Sequence, residues 1–168
     1  MNIVETERLI LRELEPERDA AFILRLLNTP KFLLHIGDRS VRSEQDAADF
    51  IENRYRQSYR DNGYGLFAVE LCPTGEQVGI CGFVKRDYFD HADIGFAFLP
   101  EQERRGYGYE SASKMMTYGR DKLGFQKVLA ITSLDNEASV GLLTKLGFTD
   151  GGIIEPQGEE LRIFTYIY

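Results

Sequence analysis

The stretch DIGFAFLPEQERRGYGYESASKMM, residues 93–116, decides the fold of this chain. Apolar and small residues alternate over 94–98, and Pro100 ends the run, which predicts a β-strand. Ala112, Met115 and Met116 then recur at helical spacing, which predicts an α-helix. The segment between them, ERRGYGYES, therefore forms the turn from the strand into the helix.

This turn carries the chemistry that the sequence predicts. Gly106 and Gly108 let the backbone approach a ligand closely, and the first amides of a helix have no partners inside the helix and carry partial positive charge. Helix N-termini of this kind bind phosphate, and Arg104 and Arg105 add forked, charged donors. We therefore predict that a cofactor containing a pyrophosphate binds at residues 104–109.

The length and composition indicate an ordinary globular protein. The chain has 168 residues, of which 43% are hydrophobic and 28% charged, and this favours one folded domain covering residues 1–168. No apolar run is long enough to span a bilayer, and the N-terminus is charged too early for a secretion signal. We expect a cytoplasmic protein with no membrane partner, as a monomer or a homodimer.

The net charge of −7 argues against nucleic acid as a partner, because binding to a phosphate backbone needs a basic surface. An acidic surface could attract a cationic substrate such as an amine or a basic peptide, although solubility alone explains the same charge. No cysteine and histidine cluster has the spacing of metal ligands, so we expect no metal.

The two cysteines flank a predicted hairpin turn at residues 73–76. A regular hairpin would place Cys72 opposite Gln77 and Cys81 opposite Ala68, which is too far apart for a disulfide. We expect both thiols to be reduced, with Cys81 buried in the core.

The remaining pattern predicts an α/β (α+β) fold with a mixed sheet and helices on both faces. The strands that flank the glycine-rich helix should be parallel neighbours, because crossover connections are right-handed. The elements, in order, are a strand at 8–14, a helix from Pro16, a short apolar piece at 31–36, a helix from Ser43 to about 59, strands at 65–71, 78–85 and 94–99, the glycine-rich helix, a strand at 127–132, a helix from Asn136, and strands at 148–154 and 161–168.

Three segments carry a family resemblance. ETERLILREL (5–14), DIGFAFLPEQERRGYGYES (93–111) and LDNEASVGLLTKLGF (134–148) are similar to signatures of the GNAT superfamily of N-acetyltransferases. The branch that they resemble most contains the ribosomal-protein alanine N-acetyltransferases. The three signatures occur in the right order over nearly the whole chain.

The resemblance implies acetyl-coenzyme A as co-substrate and transfer of its acetyl group to a primary amine, either a protein N-terminus or a small amine, by direct attack in a ternary complex. It also implies a mostly antiparallel sheet that splays at the cofactor site, at a bulge, so that the pantetheine arm bonds to an open strand edge at 96–99. The residues implied to bind the cofactor are Phe96, Phe98, Leu99, Arg104, Arg105, Gly106, Tyr107, Gly108, Tyr109, Glu110, Asn136 and Ser139.

The candidate general base is Asp93, at the position where the family often has glutamate. A solvated carboxylate at a strand end is the alternative interpretation. Glu159 and Glu160 in the last turn and His91 are weaker candidates for the base, because turn residues of these types are usually solvated.

Two positions depart from the family. Leu143 stands where many members have a tyrosine that protonates the leaving thiolate, so Ser139, Tyr107 or a water would have to substitute. Glu103 stands where glutamine or arginine is usual, and a carboxylate there would repel phosphate unless it points away or is compensated by the neighbouring arginines.

Two other functions are compatible with the sequence. A coenzyme A-binding sensor without catalysis is permitted by the missing tyrosine. A dinucleotide-binding oxidoreductase is suggested by Gly106 and Gly108 after a strand and by Asp135 as a ribose ligand, but Ser111 replaces the third glycine. Tyr55 and its neighbours Tyr59 and Tyr64 are either core residues or the lining of an acceptor pocket.

Overall fold

The computed structural model describes residues 2–168, and these form eight strands, β1–β8, and six α-helices, α1–α6. The strands are β1 (Asn2–Glu5), β2 (Leu9–Arg12), β3 (Leu66–Leu71), β4 (Gln77–Val84), β5 (Asp93–Phe98), β6 (Lys127–Ser133), β7 (Thr149–Ile154) and β8 (Leu161–Ile167). The helices are α1 (Pro16–Leu27), α2 (Pro30–His35), α3 (Glu44–Phe50), α4 (Gln57–Asn62), α5 (Tyr107–Asp121) and α6 (Glu137–Leu146). A π-helical turn (Ile51–Arg56) joins α3 to α4, and a 3₁₀ turn (Pro100–Gln102) follows β5. Among the described helices, none is long and apolar enough to cross a membrane.

All eight strands form one sheet in the order β1-β2-β3-β4-β5-β6-β8-β7. Every neighbouring pair is antiparallel except β5 and β6, which are parallel, as the crossover rule predicted. The mixed, mostly antiparallel sheet expected from the sequence is therefore confirmed.

Each face of the sheet is covered by helices, because successive side chains of a strand point to opposite faces. Phe67 and Val69 of β3 belong to one apolar cluster, with Met115 of α5 and Leu143 of α6. Ala68, which lies between them, belongs to a second cluster on the opposite face, formed mainly by α1, α2 and α3. The predicted arrangement of helices on both faces is confirmed.

The N-terminal half contains three features that the sequence pattern did not predict. The predicted strand at 8–14 is β2, and it forms a hairpin with β1, a strand that was not predicted; a bond from the amide of Thr6 to the carbonyl of Leu9 (2.8 Å) closes this hairpin. The short apolar piece at 31–36 is the helix α2. The helix from Ser43 does begin there, where the Ser43 hydroxyl accepts from the Asp46 amide (3.0 Å), but it contains a π-helical turn and continues to Asn62.

The predicted register of the β3–β4 hairpin is wrong. Cys81 lies opposite Phe67 rather than Ala68, and Gln77 lies opposite Glu70 rather than Cys72. The hairpin closes differently from the prediction, because the Leu71 amide donates to the Glu76 carbonyl (2.8 Å), and an irregularity between Val69 and Glu70 then shifts the register by one residue. Alternation of residue types reveals neither feature. Both cysteines are free, and Cys81 is fully buried, as expected.

A buried ion network ties the first two strands of the core to α1. The Arg12 guanidinium, 3% exposed, contacts the carboxylates of Asp19 and Glu70, each at 2.8 Å. Gln77 also donates to Asp19. Burial alone would raise the pKa of Asp19, but the bonds from Arg12 and from the Glu15 amide lower it below its ordinary value. Asp19 therefore contributes stability above its ordinary pKa, and this contribution is lost as the pH falls through the depressed value.

We predict that Arg12→Met destabilises the fold by about 3–5 kcal/mol, because it leaves two carboxylates buried without their cation. The measurement is urea-induced unfolding at neutral pH. Arg18→Gln is the matched control, since Arg18 reaches the same Glu70 at 3.5 Å from an exposed position, and such exposed pairs contribute no more than about 1 kcal/mol. Equal losses in the two variants would contradict the assignment.

Candidate active site

The parallel pair β5 and β6 separates almost as soon as it forms. Asp93 and Leu129 are its one ladder pair in the described chain, with a bond from the Leu129 amide to the Ala92 carbonyl (3.0 Å). On the other side, β5 pairs with β4 without a register shift from Asp93 to Phe98. The predicted splay is therefore present, but the expected bulge is not in β5. The gap opens because β6 leaves the ladder.

The backbone groups that face this gap can be assigned from the bonds of β5. The Leu99 amide donates to the Val78 carbonyl of β4 (3.0 Å), so the odd-numbered residues of β5 bond to β4. Ala92 bonds to β6, so the even-numbered residues face the gap. The amides and carbonyls of Phe96 and Phe98 therefore form an open strand edge, on the side where β6 has departed.

The turn after β5 presents the N-terminus of α5 to the same gap. Gly106 is the N-cap of α5 with φ of 84°, a conformation that strains any residue with a Cβ atom. The amides of Tyr107, Gly108 and Tyr109 lie in the first helical turn, where no carbonyl inside the helix is available to them. Arg8 supports the turn from β2 by donating to the Arg105 carbonyl (2.9 Å).

Two residues of the predicted cofactor-binding set have their backbone amides engaged within the chain. Leu99 is 3% exposed, its amide bonds to Val78, and its carbonyl accepts from Gln102 (2.9 Å). The Glu110 amide bonds to the Gly106 carbonyl (3.0 Å), and its carboxylate pairs with Arg8 (2.7 Å). Neither residue therefore has a backbone donor available to a ligand, and their part in cofactor binding stays a prediction.

Eight of the predicted residues line a cleft of about 430 Å³ between the open edge, the α5 turn and α6. Asn136, the N-cap of α6, uses its side-chain oxygen to accept from the Ser139 amide (3.2 Å), which leaves its NH₂ group available. The predicted residues that line the cleft are Phe96, Phe98, Arg104, Gly106, Tyr107, Gly108, Asn136 and Ser139.

Arg105 and Tyr109 do not line this cleft. The Arg105 side chain donates to the Glu101 carbonyl (3.3 Å), and the Tyr109 ring lies under the Lys145 ammonium, 4.2 Å from the ring centroid. Only the amide of Tyr109, at the helix N-terminus, is still free to contribute.

Glu103, the acidic departure from the family pattern, is neutralised by a residue outside the predicted site. Lys31 of α2 places its ammonium 2.5 Å from the Glu103 carboxylate. Both residues line the cleft. The compensation therefore comes from α2, and Arg104 is left without an ion pair within the described chain.

A second cavity of about 470 Å³ adjoins the cleft. β4 and β5 form one wall of this cavity, and the start of α6 and the segment from α2 to α4 form the others. Asp93 and Arg86 are among the residues that line it. The residues that line both the cleft and this second cavity are Phe32, His35, Ile36, Phe96, Ala97, Asn136 and Ser139. The two spaces therefore meet beside the open edge of β5.

Asp93 is not a solvated strand-end carboxylate, because it is 1% exposed. Burial raises its pKa to about 6, although the Arg86 guanidinium at 3.0 Å opposes this shift. A carboxylate with such a pKa is ionised at neutral pH and is a stronger base than an exposed aspartate. The other two acidic candidates, Glu159 and Glu160, are exposed and line neither space, and the same is true of His91.

His35 is a site residue that the sequence reasoning missed. Its Nδ1 lies 2.7 Å from the Ser133 hydroxyl and 3.7 Å from a carboxylate oxygen of Asp135. It lines both spaces. No sequence pattern marked His35, because residues 31–36 were predicted to be a short apolar piece rather than a helix. Only the helical geometry of α2 turns the His35 side chain toward β6.

The three tyrosines divide between the core and the cavity. Tyr55 is 7% exposed and lines the second cavity, and burial raises the pKa of its hydroxyl. Tyr59 accepts a bond from the Leu14 amide (3.1 Å) and stacks on Phe67, so its role is structural. Tyr64 packs edge-on against Phe83 in the core.

The family whose description is acetyltransferase (GNAT) domain matches residues 8–149, so the chain belongs to the GNAT acetyltransferases. An uncharacterised N-acetyltransferase of Bacillus subtilis, YoaA, is 31% identical over 153 residues, which cover 90% of this chain and 85% of that protein. The chain is an N-acetyltransferase by family, so the oxidoreductase alternative is wrong. A turnover test with an amine panel distinguishes it from a family member that binds coenzyme A without catalysis.

Two solved structures have the same fold. An acetyltransferase from Agrobacterium tumefaciens aligns with a TM-score of 0.84 and 21% identity over 100% of this chain and 95% of that chain. A RimL ribosomal-protein α-N-acetyltransferase, solved in complex with coenzyme A, aligns with a TM-score of 0.74 and 17% identity over 99% and 98% of the two chains.

We predict that Arg104→Gln weakens coenzyme A binding about tenfold, because a charge-assisted hydrogen bond contributes about 1.5–3 kcal/mol. Arg105→Gln, a neighbour outside the cleft lining, should cost less. Calorimetric titration with coenzyme A at two salt concentrations measures both losses. A larger loss for Arg105→Gln would contradict the placement of the phosphates beside Arg104.

Proposed function

We propose that this protein transfers the acetyl group of acetyl-coenzyme A to a primary amine, on a protein N-terminus or a small molecule, by direct attack in a ternary complex. The observation that carries the proposal is the meeting of two spaces beside the open edge of β5, with the buried Asp93 in one of them. The cleft is the proposed site of the co-substrate, and the second cavity is of a size typical for a ligand pocket.

The residues of the cleft suit the three parts of the co-substrate. The amides of Tyr107, Gly108 and Tyr109, at the positive end of the α5 dipole, would hold the pyrophosphate with Arg104. The backbone of Phe96 and Phe98 would bond to the pantetheine arm as an added strand. The free NH₂ group of Asn136 would donate to a pantetheine carbonyl, on the opposite wall of the cleft.

Asp93 is the proposed general base. An amine must be neutral to attack a thioester, and holding the two reactants together supplies most of the remaining acceleration. The Asp93 carboxylate would accept the proton that the amine nitrogen loses as the new C–N bond forms and the C–S bond breaks. Its raised pKa suits this task better than that of an exposed carboxylate.

Ser139 is the proposed partner of the leaving sulfur. Ser139 lies in the first turn of α6 and lines both spaces, whereas the apolar Leu143, 1% exposed, lines only the second cavity and has no proton to donate. A thiol with a pKa of about 8.5 leaves readily as thiolate, so a hydrogen bond from a hydroxyl is sufficient. The missing tyrosine therefore does not prevent catalysis.

The direct test is to incubate the protein with acetyl-coenzyme A and a panel of amines and to follow both the release of free thiol and acetylation of the amine by mass spectrometry. The panel contains peptides that begin with alanine, serine or methionine, together with small amines. Thiol release that depends on an amine supports the proposal. Thiol release without an acetylated product would contradict it.

We predict that Asp93→Asn removes the acidic limb of the pH–rate profile. In the unaltered protein, kcat/KM should fall as the pH drops through about 6, because the base becomes protonated. The variant should lose most of its kcat/KM and this limb, and keep its affinity for coenzyme A. His91→Gln, an exposed neighbour, is the matched control and should keep the profile.

The stability of Asp93→Asn separates a catalytic from a structural role. The pKa of Asp93 is higher in the folded chain than its ordinary value, so ionisation of Asp93 opposes folding. The stability that protonated Asp93 contributes is lost as the pH rises through about 6. A neutral asparagine should therefore not lower Tm at neutral pH. A large drop in Tm together with an unchanged profile would show that Asp93 is structural.

A further inference from the structure

The second cavity has a charge opposite to that of the whole chain. Among the lysine, arginine, aspartate and glutamate residues that line it, four are basic and two are acidic, whereas the chain has a net charge of −7. The basic residues are Arg39, Arg54, Lys85 and Arg86, and the acidic ones are Asp61 and Asp93. We propose that the acceptor carries a carboxylate in addition to the amine that is acetylated.

The ion pairs that the arginines form with Asp or Glu indicate which of these charges are available to a ligand. In the described chain, the arginines without an ion pair within 4.0 Å are Arg39, Arg54, Arg104 and Arg105, and all the others pair with Asp or Glu. Two of these four belong to the turn that the co-substrate phosphates would occupy. The other two line the second cavity, and the co-substrate does not account for them.

The carboxylates near Arg39 and Arg54 already have other partners. Both arginines also border a shallow depression that contains Asp46 and Asp49. Asp46 accepts from the Arg42 amide (3.0 Å), and Asp49 accepts from the Gln45 side chain (2.9 Å). The two guanidinium groups are therefore left for an anion from outside the chain.

The backbone holds Arg54 at the cavity in an unusual way. It lies in the π-helical turn Ile51–Arg56, and such turns are frequent at functional sites. Its guanidinium stands over the Phe50 ring, 5.6 Å from the centroid, and this contact restrains the side chain. Phe50 also lines the cavity. A planar guanidinium held in this manner suits forked binding of a carboxylate.

The same charges disfavour a polyamine. Several ammonium groups would meet three cations that have no ion pair within the described residues, Arg39, Arg54 and Lys85. Asp93 is paired with Arg86 at 3.0 Å, so Asp61, which accepts only from the neutral Gln57 at 2.8 Å, is the one unpaired carboxylate in the cavity lining. The three cations are exposed, so their repulsion of a polyamine acts through solvent and weakens with salt. The acidic exterior of the protein is therefore a poor guide to the charge of its acceptor.

This inference rests on the proposed function, because it assigns the second cavity to the amine. The proposed acceptor presents an amine to Asp93 and a carboxylate to Arg54 and Arg39. Two kinds of compound have both groups: a free amino acid, and a peptide whose N-terminus is followed by acidic residues.

The test compares four acceptors at equal concentration with saturating acetyl-coenzyme A. They are a peptide of alanine followed by three glutamates, the same peptide with three lysines, free glutamate, and spermidine. We expect kcat/KM for the acidic peptide or for glutamate to exceed that for the lysine peptide and spermidine at least tenfold. The better of the two acidic compounds identifies the source. A preference for spermidine or the lysine peptide would overturn the inference.

Variants of the cavity sharpen the test. Arg54→Gln and the double variant Arg39→Gln with Arg54→Gln should raise KM for the acidic acceptor about tenfold and leave KM for acetyl-coenzyme A unchanged. Arg54→Glu should narrow or invert the preference between the acidic and the lysine peptide. Arg60→Gln is the matched control, since Arg60 lies on the same helix, pairs with Glu52 at 2.8 Å and does not line the cavity. Equal effects of Arg54→Gln and Arg60→Gln would overturn the inference.

The proposed function and this inference can fail separately. If none of the four compounds nor the wider amine panel releases thiol, the proposed transfer fails. The charge preference is then measured by calorimetric titration of the two peptides into the complex with coenzyme A. Tighter binding of the glutamate peptide, lost in Arg54→Gln, supports the anionic cavity, and equal or weaker binding overturns it.

Discussion

The early separation of β5 from β6 is the constraint on which the rest of the structure depends. A parallel pair buried between helices would normally continue its ladder, because unpaired backbone groups are costly to bury. Here the ladder ends at Asp93 and Leu129, and the even-numbered residues of β5 keep their amides and carbonyls open. An open edge inside the sheet is stable only where water or a ligand reaches it. This is the physical basis for proposing the gap as the binding site, and the α5 N-terminus, the α6 N-cap and α2 surround it.

The position of Asp93 follows from the same constraint. It occupies the last point at which β5 is still bonded on both sides, so its side chain is buried while the strand beyond it is open. Burial raises the pKa of the carboxyl, and Arg86 keeps it from remaining neutral at physiological pH. A reactive carboxylate next to an open edge is thus a consequence of where the ladder ends.

The basic residues near the site form two groups, one at the cleft and one at the second cavity. Lys31 pairs with Glu103, so the proposed phosphate site at the α5 N-terminus and Arg104 has no unpaired carboxylate from Glu103 beside it. Arg39, in the loop after α2, and Arg54, in the π-helical turn, line the other space. Because most arginines of the chain are neutralised by close acidic neighbours, the unpaired ones distinguish the binding surfaces from an otherwise acidic exterior.

Sequence pattern predicted much of this protein because its signals are local. Alternation marked β5, helical spacing marked α5 and α1, and glycine at 106 and 108 marked the turn between strand and helix. The family signatures placed Asn136 and Ser139 in the site. The features that the sequence did not predict also have physical causes. The β3–β4 register depends on an irregularity that residue types do not reveal, and Glu110 and Leu99 satisfy their own hydrogen bonds in ways that only neighbouring elements determine.

The sequence by itself therefore determined the class of fold, the glycine-rich turn between β5 and α5, and the family, since each is encoded within short segments. Only the tertiary structure decided the environment of Asp93, the approach of His35 to both spaces, the pairing of Glu103 with Lys31 and the positive lining of the second cavity. These properties arise where segments distant in the chain meet. Burial, pKa and net local charge are sums over such neighbours, and no single stretch of the sequence contains them.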